Sequence, residues 1–61
     1  MQFIIYIIDN NKYTIDELDF IGTYENAQKY ANTMVHSLNG FGAQIYRVYH
    51  QNNFMLLKEI Y

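Results

Sequence analysis

An α+β domain with one helix packed on one face of a small sheet is predicted by three features of this chain. The first is a β-branched and aromatic run, Gln2 to Ile8. The second is one strongly periodic helical stretch after Thr23. The third is a pair of short strand-like segments near the C-terminus, separated by an Asn-rich turn. The order reads β-(β)-α-β-β over a three- to four-stranded sheet, and residues 1–61 form a single domain.

Size and composition set limits first. A chain of 61 residues buries only about 60% of its unfolded surface, so its stability is marginal. It has no cysteine, which excludes disulfides and thiolate metal sites. The hydrophobic share of 51% excludes disorder, leaving apolar packing as the source of stability. Charged residues make up 16% and the net charge is −2, too little basic character for non-specific nucleic-acid binding. Ile, Tyr, Asn and Phe are over-used and have AT-rich codons, which points to an AT-rich source genome. The N-terminal apolar run has neither a basic leader nor a cleavage site, and it falls far short of the ~20 residues that span a bilayer. A buried strand and a cytoplasmic protein are expected.

The first strand, Gln2 to Ile8, ends at Asp9-Asn10-Asn11-Lys12. Asn tolerates positive φ, so Asn10-Asn11 suits a tight hairpin turn. A second strand is expected from about Lys12, fading into a turn near Asp16 to Asp19. Thr14-Ile15-Asp16-Glu17 also fits a capping box that opens one helical turn.

The helix is well signalled. Thr23 is a good N-cap, and Glu25 in the first turn suits the positive end of the helix dipole. Ala27, Tyr30, Ala31, Met34, Val35 and Leu38 follow i, i+3, i+4, i+7 spacing, while Lys29, Asn32 and His36 lie opposite. Glu25 and Lys29 form an i,i+4 pair. Asn39-Gly40 supplies the stop, with Gly40 expected in the left-handed conformation.

Ala43 to His50 alternates in character; Gln44, Arg47 and His50 give it the look of an edge strand. Gln51-Asn52-Asn53 reads as a hairpin turn, and Phe54 to Tyr61 as the last strand. The first strand carries Phe3, Ile5 and Ile7 on one face and Ile4, Tyr6 and Ile8 on the other. The last strand carries Phe54, Leu56 and Ile60 on one face and Met55, Leu57 and Tyr61 on the other. Both read as buried on two faces, yet one helix covers only one. The uncovered apolar face predicts an interaction surface, drawn from Ile4, Tyr6, Ile8, Tyr46, Tyr49, Met55, Leu57 and Tyr61. The competing expectation is that the segment from Asp16 to Ile21 folds over it.

No constellation for chemistry is visible, and an enzyme is not expected. His36 and His50 have no second ligand at helical or strand spacing, so neither a metal nor a cofactor is expected. Asp16, Glu17 and Asp19 lack the spacing of a calcium loop. Ser37 has no base nearby in the pattern. Seven tyrosines suit a protein interface, and less well, with Arg47 the single arginine, a base-stacking sheet.

Gly22-Thr23-Tyr24-Glu25-Asn26-Ala27-Gln28, with Leu38, Gly42-Ala43 and Tyr46-Arg47-Val48, resembles one half of a SPOR-type peptidoglycan-binding repeat, over about half the chain. In general type the chain is similar to small, cysteine-free bacteriophage accessory proteins that inhibit host factors. The two-sided apolar sheet, the tyrosines and the lack of a catalytic set predict a non-catalytic, homodimeric interaction protein with a protein target, and the similarity of type implies an inhibitor of a host enzyme or defence system in the host cytoplasm. The alternative is a nucleic-acid or nucleotide-binding module that uses a tyrosine-bearing sheet face. No membrane role is expected.

Overall fold

The computed structural model describes residues 1–50 and 53–61. Its elements are β1 (Gln2–Ile8), β2 (Thr14–Ile21), α1 (Tyr24–Ser37), β3 (Gly42–His50) and β4 (Asn53–Ile60). The four strands form one sheet in the order β2-β1-β3-β4, with every neighbouring pair antiparallel. The fold is the α+β arrangement expected, with order β-β-α-β-β.

Because β1 runs antiparallel to both neighbours, β2 and β3 are parallel to each other with β1 between them. Such a pair needs a long crossover, and α1 supplies it by passing over β1. The helix therefore packs on β1 and β3. Phe3, Ile5, Ile7, Ala43 and Ile45 of the sheet meet Ala27 and Ala31 of the helix, and all seven are fully buried. Leu18, Phe20, Tyr30, Met34, Val35 and Leu38 close the rim of this core. Alanine at both central helix positions lets the helix axis come close to the sheet.

Thr23 caps the helix as its sequence suggests: its Oγ1 accepts from the Asn26 amide at 3.1 Å. Glu25 and Lys29 pair at 3.5 Å on the outer face, where both side chains are largely exposed. The helix ends differently from expectation. Asn39, not Gly40, takes the left-handed backbone, with φ 55°. The Asn39 amide donates to the His36 carbonyl at 3.3 Å and the Gly40 amide to the Val35 carbonyl at 2.8 Å, a Schellman pairing. Gly40 is required by space instead, because a β-carbon there would lie 2.5 Å from Cγ2 of Ile7.

The first hairpin also uses a different residue. Lys12 carries the positive φ, 66°, rather than Asn10 or Asn11. Its amide donates to the Asp9 carbonyl at 3.0 Å, and the Asp9 amide donates to the Tyr13 carbonyl at 2.9 Å, giving a three-residue loop. The Asp9 carboxylate accepts from the Asn11 and Tyr13 amides and holds the turn.

Three strand expectations are corrected. The segment from Asp16 to Asp19 is neither a turn nor helical; β2 runs unbroken from Thr14 to Ile21 and so cannot fold over the far face. β3 is central rather than an edge, and β4 is one of the two edges, with β2 the other. Polar Gln44 and Arg47 are tolerated in the centre because Gln44 faces away from the helix, and Arg47 lies over the Tyr49 ring, 4.4 Å from its centroid. Consequently β4 is not buried on both faces: Asn53 to Leu56 are all exposed. Of the proposed turn Gln51-Asn52-Asn53, Gln51 and Asn52 lie outside the described residues, and Asn53 already belongs to β4.

Candidate interaction surface

The strand registers place the side chains that face away from α1 in three rows across the sheet. Ile21, Gln2, Val48 and Phe54 form the first, nearest the β3–β4 hairpin. Asp19, Ile4, Tyr46 and Leu56 form the second. Glu17, Tyr6, Gln44 and Glu59 form the third. The first two rows hold a contiguous apolar area of Ile4, Tyr46, Val48, Phe54 and Leu56. Phe54 is 50% exposed and Leu56 43%, while Ile4, Tyr46 and Val48 are half-buried between neighbouring strands. This is where the one-helix architecture leaves apolar side chains in contact with water.

Tyr6 and Tyr46 occupy diagonal positions on this face and meet edge to face, with ring centroids 5.5 Å apart and planes at 84°. Partial burial pushes the Tyr6 phenol above its ordinary pKa, and the Glu17 carboxylate opposite adds to the effect by charge and by hydrogen bonding. At the other end of the third row, the Tyr61 hydroxyl donates to Glu59 Oε2. Lys12 from the first turn stands over the Tyr61 ring, 5.3 Å from its centroid. The Tyr61 hydrogen bond, and secondarily Lys12, hold the Glu59 carboxyl below its ordinary range. Lys12 is raised in turn, mainly by Tyr61 and then by Glu59.

Charge is unevenly divided between the two sides of the sheet. Three of the six carboxylates, Glu17, Asp19 and Glu59, border the open face. None of the four Lys and Arg side chains originates on it. Lys29 is on the outer face of the helix, paired with Glu25. Arg47 and Lys58 are in register with Phe3 and Ile45, on the helix side. Lys12 reaches only the Glu59 corner, leaving Glu17 and Asp19 without a facing cation.

Of the eight residues expected to form the surface, the structure brings three together: Ile4, Tyr6 and Tyr46. Ile8 is fully buried. Tyr49 and Met55 lie at the β3–β4 hairpin, where the Tyr49 hydroxyl donates to the Met55 sulfur at 3.7 Å. Leu57 packs against the helix-side core, and Tyr61 lines a cleft of about 420 Å³ beside His36, Phe41 and Ile60. On β4 the register sets Phe54 and Leu56 opposite Val48 and Tyr46 on the open side, so Met55 and Leu57 face the other way. A bulge follows: Ile45 pairs with Lys58 while Tyr46 pairs with Leu56, so Leu57 is an extra residue and Ile60, opposite Ala43, joins the core side. Phe54, Leu56 and Val48 were therefore missed; exposure of an edge strand was the signal, and it depends on strand order.

No family model, curated protein or solved structure matches the chain. No helix of the described residues is long and apolar enough to cross a membrane. Among those residues, no three His, Asp or Glu side chains gather as a metal site would require.

Proposed function

We propose that this chain is a non-catalytic protein-interaction module that engages another protein through the open sheet face. One observation carries the reading: α1 covers the Phe3, Ile5 and Ile7 side of the sheet, while Ile4, Tyr46, Val48, Phe54 and Leu56 form an accessible apolar area on the other. Burying such area against a partner is favourable by about 25 cal/mol per Å². Tyrosine at its centre suits an interface, with an apolar ring and a polar tip. A module of this kind works by occupancy, blocking or bridging a partner's surface, which is how a small inhibitor of a host enzyme acts.

The charge pattern favours protein over nucleic acid. Phosphates approaching the tyrosines would meet Glu17 and Asp19, while Arg47 stands on the opposite side of the sheet. The Tyr6 and Tyr46 rings are also engaged with each other, which removes ring surface from base stacking.

The test is position-dependent photocrosslinking. A photoreactive phenylalanine analogue is placed at Phe54 or Leu56 and, as a control, at Lys29 on the outer face of the helix, in cells that naturally carry the chain. Protein adducts should form from the two sheet positions and disappear when Ile4→Lys is added. Adducts formed from Lys29 alone would refute the reading.

A further inference from the structure

We infer that the partner segment seated on the open face is cationic and amphipathic: its apolar side chains rest on Ile4, Tyr46 and Leu56, and its Lys or Arg side chains meet Glu17 and Asp19. This rests on the open face being the interaction surface and adds the chemistry of the occupant.

Charge complementarity carries the inference. Glu17 and Asp19 are exposed, two residues apart on the edge strand β2, and on the same face as the apolar rows. Asp19 closes the row formed by Ile4, Tyr46 and Leu56, and Glu17 closes the row beside it. An occupant lying along these rows meets apolar surface first and carboxylates at the β2 end. An apolar or acidic occupant would strip water from those carboxylates without replacing it by a donor, which is unfavourable, and a cation there adds charge attraction to the hydrogen bond. Glu59 differs because Tyr61 and Lys12 already attend it.

The same pattern disfavours a second copy. Lys29, Arg47 and Lys58 lie away from this face and Lys12 is engaged at the Glu59 corner, so a stacked copy brings more carboxylates and no free cation. It equally disfavours an anionic membrane surface. The dimensions suit a helix. Neighbouring strands lie about 4.8 Å apart, so the rows extend about 14 Å from β2 to β4, the length of about ten helical residues.

The experiment uses the full chain, labelled with ¹⁵N, and two synthetic helical peptides. Both carry the same leucine stripe; one ends in a cluster of lysines and the other in a cluster of glutamates. The lysine peptide should shift the amides of Ile4, Tyr46, Leu56, Glu17 and Asp19. It should bind at least about tenfold more tightly than the glutamate peptide and weaken as salt rises. The double variant E17Q/D19N, altered only at exposed edge positions, should stay folded and bind the lysine peptide roughly three- to tenfold less tightly. Equal binding of both peptides to the open face would overturn the inference and leave the interaction reading intact. Shifts confined to the helix surface would overturn both. Self-association of the chain through this face, undisturbed by the lysine peptide, would assign the face to a second copy and overturn the inference. Binding of a single-stranded oligonucleotide there in place of the peptide would do the same.

Discussion

Gly40 packs directly on Ile7, with room for hydrogen but not for carbon: a β-carbon would stand 2.5 Å from the Ile7 Cγ2. The left-handed residue is its neighbour Asn39. The two positions therefore respond to substitution in opposite ways. Gly40→Ala should destabilise by about 1–3 kcal/mol through overpacking, and Gly40→Asn by at least as much. Asn39→Gly should be neutral or stabilising, since glycine adopts positive φ without strain, whereas Asn39→Ala should cost about 1 kcal/mol. Thermal melts of the four variants check this; a harmless Gly40→Asn would place the left-handed backbone at residue 40 instead of 39.

That pair also shows how far the sequence could be read. Asn39-Gly40 announced that the helix stops, but which residue turns left-handed depends on what Gly40 touches, and Ile7 lies more than thirty residues away in β1. The helix itself was legible because its apolar stripe and its cap are local. The faces of β1 were legible for the same reason as far as Ile7, whereas Ile8, expected on the interaction surface, is fully buried. Strand order was not: the polar residues of β3 looked like those of an edge, yet β3 is central because α1 must cross β1 to reach it. Nor were the register of β4 and its bulge at Leu57 legible: the register puts Phe54 and Leu56, rather than Met55 and Leu57, on the open face, and the bulge puts Ile60 with the core.

Ile4 and Ile5 are adjacent in sequence and opposite in consequence. Ile5 is fully buried beneath the helix, and Ile4 is half-buried on the open face. Ile5→Lys would bury an unpaired ammonium and should unfold the domain, with a loss above about 4 kcal/mol. Ile4→Lys lets the lysine extend to water, so the domain should remain folded. Melting curves and the dispersion of amide resonances distinguish the two. Loss of fold in both variants would mean that the far face is covered.

Ala31 and His36 test the helix register. Ala31 is fully buried where the helix meets the sheet, and His36 is exposed on the opposite side. Ala31→Leu should push the helix off the sheet and cost about 1–3 kcal/mol, with more if the backbone cannot shift. His36→Ala should change stability by no more than about 0.5 kcal/mol. Denaturant unfolding of each variant gives both numbers. An Ala31→Leu protein as stable as the wild type would require space between α1 and β3 that this packing does not contain.

The Tyr6 phenol supplies a titration signature for the open face. Its pKa lies above the ordinary value of 10.0, first because partial burial disfavours the phenolate, then because Glu17 opposes the same charge and hydrogen-bonds the neutral form. The sign follows from linkage. A pKa raised in the folded state means that the folded chain holds the proton more tightly than the unfolded one. The associated stability is fully present below the unfolded value near 10 and is lost as pH rises through the folded value. Glu17→Gln removes the charge and should lower the Tyr6 pKa partway, leaving the contribution of burial. A cationic peptide bound beside Glu17 should oppose the Glu17 field, while its apolar side chains deepen the burial of Tyr6. Site-resolved NMR titration of the Tyr6 ring can follow the variant. An unchanged Tyr6 titration in Glu17→Gln would mean that the two side chains do not face each other across β1 and β2 and that Glu17 does not border the open face beside Tyr6.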